Sequence, residues 1–419
     1  MKSFSTYNYT PLLNLQRTDF INLKSTQTIY IPFGDDNLLP SQLTQLSREV
    51  PVHRAIINCK TNYVVGKGLT SDDPVLQQII KNPNNTFEDF NTIFRRLVFD
   101  YILIGNAYLE IITNDKHSFV YYFHLDSSKC RLSSVTNDVL IHPSWEEFKG
   151  KGDPNMTTVP LFPNFSKGAD GLLHSIYHIK DYEPEFYYYG LCSYFAAMRP
   201  ILISGLTNLW NQNRLERGFT SPGLLVVGGI NDPADAEELD AELSKFNGVE
   251  GEKSGNMVIQ YLADLSPGQA TQEAKFIEFK KNEEGNWTGL HDQSELSIIT
   301  MHNWFRSLTP YANEKTGFDS NRIANEYEIA LNTVIHPLQE FFAKHFDQVF
   351  TFFKIPTGKI VFLNESPIDR INPFKFVWEA RRDSGLPFDP NDEIQKQLVI
   401  QVKQTFNTNS KSESVQIKQ

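Results

Sequence analysis

The chain is short of cysteine, of long apolar runs and of positive charge, and each shortage removes a class of function. Three cysteines, Cys59, Cys130 and Cys192, occur in 419 residues, and no two form a C-x-x-C pair. That leaves no disulfide framework and no zinc knuckle, fits a reducing compartment, and makes core thiols the simplest reading. No stretch reaches the roughly 18 consecutive apolar residues that a membrane-spanning helix needs. The opening Met1-Lys2-Ser3-Phe4-Ser5-Thr6 lacks the apolar centre of a secretion signal, so a soluble product of the cytoplasm is expected. Lys and Arg number 39 against 50 Asp and Glu, for a net charge of -11. Such a chain repels phosphate on balance, which argues against a tight, sequence-specific DNA binder.

Catalytic signatures are also missing. Gly248-Val249-Glu250-Gly251-Glu252-Lys253-Ser254 has neither the spacing between glycines nor the Gly-Lys step that lets a P-loop wrap phosphate. Gly66-Lys67-Gly68 lacks the third glycine of a dinucleotide fingerprint and follows a helical pattern, so it reads as a turn. The ten histidines include no H-E-x-x-H, and no serine sits in a G-x-S-x-G elbow. His174 and His178 fall in a β-rich run, which would hold them about 13 Å apart, too far to share a metal.

What is present is a large folding core. The sequence is 40% hydrophobic and 21% charged, with 31 Phe and 17 Tyr, and its length suits two or three domains. Helices are predicted from about Ser41, resuming after Pro51 and ending at Gly66, and again after Pro83-Asn84-Asn85-Thr86, stopping at Gly105, with Phe90, Ile93, Phe94, Leu97, Val98, Tyr101 and Ile102 on one broad face. β-runs follow at 107–112 and 119–123, joined by a turn at Asn114-Asp115-Lys116, and short strands continue to about residue 180. Residues 150–171 read as an exposed loop. A long helix starts near Leu191, interrupted by Pro200 and Gly205, and its far half is polar. Then come a strand at 224–227, an acidic helix over 233–246 and a strand at 257–261. A second helix is predicted from His291 to Leu308, a Pro-, Asn- and Gly-bearing break from Pro310 to Phe318, and a third helix opening at Asp319-Ser320. Pro337 is expected to kink that helix, and a strand follows at 359–363.

Two features ask for a positive explanation. One is Tyr187-Tyr188-Tyr189-Gly190-Leu191-Cys192-Ser193 opening a long helix that closes on Gly218-Phe219-Thr220-Ser221-Pro222-Gly223-Leu224. The other is helix, breaker loop and longer helix across 291–350. Taken singly they are core packing and a helical hairpin. In this order, with an α/β insert between them, the chain resembles the portal protein family of tailed bacteriophages. The resemblance extends to Val52-His53-Arg54-Ala55-Ile56-Ile57-Asn58, to Leu103-Ile104-Gly105-Asn106-Ala107-Tyr108-Leu109-Glu110, to Ile335-His336-Pro337-Leu338 and to Gly385-Leu386-Pro387. It covers roughly residues 40–395.

The resemblance implies a multi-domain α+β portal fold, with an α/β wing, two stem helices flanking a small α/β clip, a tunnel loop and a long kinked wing helix. Residues 1–40 would be an N-terminal arm, 41–190 the wing, 191–222 stem helix 1, 223–288 the clip and 289–309 stem helix 2. Residues 310–318 would be the tunnel loop, 319–380 the long helix and wing strand, and 381–419 a small crown or mobile tail. That last segment is shorter than the helical crown of many relatives. The implied function is a ring, typically of twelve copies, at one capsid vertex. It would be the DNA channel for genome packaging and ejection, and the docking site for terminase and tail adaptors.

The implied channel residues are Tyr311, Asn313, Glu314 and Lys315, with Pro310 and Gly317 as hinges; read alone, this segment is an ordinary solvated loop. Asp235, Glu237, Glu238, Asp240 and Glu242 are candidate clip contacts, and a solvated helical face explains the same pattern more simply. The implied partners are copies of the chain, double-stranded DNA passing without sequence specificity, the terminase large subunit, a head-tail adaptor and a major capsid or scaffold protein. No membrane, cofactor or metal is implied, and ATP hydrolysis belongs to the separate motor. Rival readings are another virion structural protein, such as a head-tail adaptor, and a nucleotide-using enzyme. An adaptor is usually much shorter and lacks paired helices around an insert, and the failed motifs count against the enzyme.

Overall fold

A computed structural model describes residues 28–34, 36–184, 186–216, 223–228, 257–262, 275–278, 287–310, 320–355, 360–367, 389 and 397. In chain order the elements are α1 (Leu39–Glu49), α2 (Pro51–Val65), β1 (Leu69–Ser71), α3 (Pro74–Lys81) and α4 (Phe90–Ile104). Next come β2 (Asn106–Thr113), β3 (Val120–Leu125), β4 (Cys130–Leu132), β5 (Asp138–Ile141), β6 (Thr157–Pro160), β7 (Ser166–Lys167) and β8 (Leu173–Lys180). They are followed by α5 (Met198–Glu216), β9 (Gly223–Gly228), β10 (Met257–Leu262), β11 (Lys275–Glu278) and α6 (Trp287–Met301). The chain continues with α7 (Ser320–Ala330), a π-helical segment (Leu331–Ile335), α8 (His336–Phe352) and β12 (Ile360–Phe362). The fold class is α+β. None of the described helices is long and apolar enough to cross a membrane.

Two compact units share these elements. The first comprises Met1–Thr61, Pro83–Glu88 and Thr92–Trp304, and the second Asn62–Asn82, Asp89–Asn91 and Phe305–Gln419. In the first unit an antiparallel sheet has the order β3-β2-β8-β7, and a second antiparallel sheet has the order β4-β5-β6. The β2–β3 hairpin turns at the predicted Asn114-Asp115-Lys116. A third sheet places β9 at its centre, parallel to β10 and antiparallel to β11. The flanking helices α5 and α6 pack side by side, so the chain leaves one helix, builds the sheet and returns along the other.

The second unit is built on aromatic side chains. Phe90 meets Phe346 edge-on at 5.1 Å and Phe350 at 6.3 Å, and Phe342, Val349, Leu69 and Leu76 are buried with them. Antiparallel β1 and β12 are continued by Lys67 N–H donating to the Leu363 carbonyl and Leu363 N–H donating to that of Gly68. The turn needs glycine: Gly66 has φ +55°, and a Cβ there would lie 2.5 Å from the Leu363 oxygen. The α3 helix starts on Asp73, whose carboxylate accepts from the Val75 and Leu76 amides, with Pro74 in the first turn.

Several boundaries differ from the sequence expectation. Residues 150–171 hold two short strands, β6 and β7, because each finds an open edge, on β5 and β8 respectively. The helix expected from Leu191 begins at Met198 after a 3₁₀ turn at Phe195–Ala197, which puts Pro200 in its first turn, where a missing N–H is tolerated. The helix expected to reach Leu308 ends at Met301, and Asn303 at φ +50° turns the backbone out of it. In place of a simple kink, Pro337 follows a π-helical segment in which the His336 amide reaches back five residues to the Leu331 carbonyl. Widening the turn just before proline accommodates its ring and its missing donor. α3, β1 and β11 are additional elements. The acidic helix over 233–246 falls outside the described residues.

Candidate functional site

The two stretches that carry the resemblance most strongly meet in space. At the end of α4, Gly105 has φ +81°, and a Cβ there would run into the backbone of Leu191 and Cys192. A Cβ on Gly190 would in turn run into the Gly105 carbonyl. Two glycines therefore let two backbones touch. Asn106, fully buried, seals the contact: its Oδ1 accepts from the Gly190 amide at 2.8 Å and its Nδ2 donates to the Gly190 carbonyl at 2.9 Å. His178 Nε2 lies 2.9 Å from the same Oδ1, and its ring stacks on Tyr108 at 4.4 Å. One buried amide thus joins the start of β2, the end of β8 and the approach to α5.

A second junction ties the segment before α1 to β4. The Tyr189 hydroxyl donates to the Ile31 carbonyl at 2.7 Å and accepts from the Leu132 amide at 2.9 Å, while Phe33 stacks on its ring at 4.2 Å. Beside it Arg131 is fully buried and bound only to neutral oxygens, those of the Asn37 side chain and the Asn37, Ser128 and Cys130 carbonyls. Trp145 covers the guanidinium at 5.0 Å.

The far end of α6 is fastened by a third polar group. His53 Nδ1 and His302 Nε2 lie 2.9 Å apart, and Tyr194 stacks on His302 and meets His53 edge-on, both at 4.6 Å. Lys60 Nζ donates to the His302 carbonyl at 2.9 Å, where the partial negative charge of the helix end favours a cation. Burial, aided by the Arg54 charge, pushes His53 down to about 3, and burial with the His53 and Lys60 charges holds His302 well below its ordinary value. Lys60 is pushed down to about 8 by burial alone. With both rings neutral, one imidazole donates to the other.

Exposed apolar side chains lie among polar ones on α5 and α6. Leu206 and Leu209 on α5, and Leu290, Leu296 and Met301 on α6, are all exposed, Leu296 to 58%. A groove of about 430 Å³ runs between α1 and α5, lined by Leu46, Leu202, Gly205, Leu206 and Leu209 together with the polar Glu49, Asn208 and Gln212. No catalytic constellation accompanies it among the described residues: His174 is held by Glu110 and Asp170 and His178 by Asn106, so the two do not converge. Cys130 and Cys192 are buried core thiols as expected, and burial raises Cys192 to about 12, whereas Cys59 is only half-buried.

Of the predicted channel residues, Pro310 is described and exposed, just beyond a 3₁₀ turn at Arg306–Leu308. Tyr311, Asn313, Glu314, Lys315 and Gly317 lie outside the described residues, as do Asp235, Glu237, Glu238, Asp240 and Glu242. The sequence reading missed Asn106, Arg131, Lys60, Tyr194 and His302 as structural keys. The one local sign was Gly105-Asn106 at a helix-to-strand step.

No protein-family model matches the chain. An uncharacterised protein of Rickettsia bellii (strain RML369-C) is 27% identical over 179 residues, which is 41% of this chain and 42% of that protein. The match therefore spans less than half the length of that relative. Among solved structures, a chain from the neck of an empty gene transfer agent (GTA) particle, computed with C6 symmetry, aligns over 84% of this chain and 94% of its own. Its TM-score is 0.50 and its identity 14%. An HK97-family phage portal protein from Corynebacterium diphtheriae aligns over 76% of this chain and 93% of its own, with a TM-score of 0.44 and 11% identity. At the level of the fold, the chain is similar to that particle-neck component.

Proposed function

We propose that the chain is a portal-type subunit of a phage or phage-derived particle. Copies of it would close into a ring at one capsid vertex, forming the conduit through which DNA is packaged and ejected. The observation that carries this reading is the arrangement α5, three-stranded sheet, α6, within a fold shared with a component of a particle neck. In it α5 and α6 are the paired stem helices and β9–β11 belong to the clip, which docks the terminase motor and later a head-tail adaptor. The earlier sheets, with α7, α8 and β12, form the wing beside the capsid or scaffold protein. The exposed leucines of α5 and α6 are compatible with assembly, since a neighbouring copy in a ring would cover them.

Chemistry suits a passive conduit. Sliding duplex must not be held, and a net charge of -11 per chain keeps phosphate contacts weak. The tunnel loop with Tyr311, Asn313, Glu314 and Lys315 offers polar contact with one cation and one anion, between hinges at Pro310 and Gly317. Asp235, Glu237, Glu238, Asp240 and Glu242 would be candidate contacts of the clip. Hydrolysis of ATP is left to the docked motor, and the ring itself is not an enzyme. Light scattering of the purified protein tests the assembly: a single species at a large multiple of 48.1 kDa is expected. A 48.1 kDa monomer that turns over ATP would contradict the reading.

A further inference from the structure

Near its start the α6 helix brings three possible metal-ligating side chains together. In His291-Asp292-Gln293-Ser294-Glu295, one ligand atom each from His291, Asp292 and Glu295 lies within 4.8 Å of the others. Helical geometry explains the convergence. Residue 295 stands one turn on from both partners, at i+4 from His291 and i+3 from Asp292, and at about 100° per residue its direction falls between theirs.

Proximity alone would say little, but the state of Glu295 says more. Its residue is only 6% exposed, and its Oε2 is buried with no hydrogen-bond partner. Its Oε1 faces His291 Nδ1 at 3.8 Å, beyond hydrogen-bond length. A buried carboxylate oxygen left without a partner is costly, and a bound cation is one way to offset that cost. Access is open from the other side, since Asp292 is exposed and the His291 side chain is 26% exposed.

We propose that His291, Asp292 and Glu295 bind a divalent first-row transition ion of the Zn²⁺ type, one per chain. An imidazole nitrogen with two carboxylate oxygens selects this class over Mg²⁺ or Ca²⁺, which prefer all-oxygen shells. Ligand atoms on a tetrahedral ion with bonds of about 2.1 Å stand roughly 3.4 Å apart, so small side-chain rotations close the cluster. Three ligands from a single helical turn leave a coordination position open to water.

The test is metal content of the untagged full chain after dialysis against buffered Zn²⁺, with the thermal midpoint read in parallel. Wild type should retain one more ion per chain than His291→Ala, Asp292→Asn or Glu295→Gln, and Zn²⁺ should raise the midpoint of wild type alone. His291→Ala and Asp292→Asn alter partly exposed positions, so the comparison survives a folding defect in Glu295→Gln. Equal zinc content in wild type and in both of these variants would overturn the site. A matching rise in midpoint with Mg²⁺ would overturn the ion class.

Discussion

In the first unit the interior is crossed by polar ties. Asn106 binds the Gly190 peptide from both sides, Arg131 lies buried among neutral oxygens, and His53 and His302 share a hydrogen bond beside Lys60. In the second unit the described interior is mainly apolar: Phe90, Phe342, Phe346 and Phe350 pack edge-on or tilted along α8, and the buried polar groups among the described residues are Ser71 and Gln339, the latter bonded to the Val64 carbonyl and to Asn364. A matched polar group specifies its partner and punishes every alternative, whereas an aromatic cluster tolerates exchange of similar shapes. The first unit, which holds the proposed stem and clip, is therefore the part whose geometry is most tightly specified.

Substitutions at the keys of each unit should break this contrast in opposite ways. Phe346→Ala should cost about 3–5 kcal/mol in urea unfolding, the largest single effect, while Phe346→Leu should cost far less because much of the volume is kept. Gly105→Ala should cost about 2–4 kcal/mol, since it combines a positive φ with overlap onto the Leu191 backbone. Asn106→Leu, close in size, should cost about 2–3 kcal/mol by leaving the Gly190 amide and carbonyl buried and unpaired. If Asn106→Leu proved harmless, the polar ties would be incidental and the contrast would fail.

The histidine pair gives a milder test through pH. His53 titrates near 3 in the folded chain against 6.5 ordinarily, so between those values the unfolded chain binds more protons and stability falls as pH falls. The slope should be about 1.4 kcal/mol per pH unit for each histidine, with His302 acting in the same direction. His53→Gln should flatten part of that acid loss. Lys60 acts at the other end: folded near 8 against 10.5, it makes stability rise as pH climbs between those values, and Lys60→Met should remove that rise.

Much of the fold was legible because its signals are local. The buried face of α4 repeats at helical spacing, the β2–β3 turn carries Asn-Asp-Lys, and β8 was separable from a helix by its β-rich neighbours. α3 was missed although Asp73-Pro74 is a helix start, and β11 was missed because four residues carry little period. The polar ties were not legible for a different reason. Asn106 and Gly190 are 84 residues apart, Asn37 and Arg131 are 94, and His53 and His302 are 249, and nothing local marks such pairs. Helix ends erred where a tertiary contact decides them, as at His302, whose carbonyl is held by Lys60.

The central claim is that copies of this chain close into a ring around a passage for duplex DNA. Electron microscopy of the purified protein tests it most directly. End-on views should average to a closed ring of identical subunits with a central hole wide enough for a duplex, and Tyr311, Asn313 and Lys315 changed together to alanine should leave that ring intact while lowering DNA packaging or retention. Compact single particles without a hole would contradict the account.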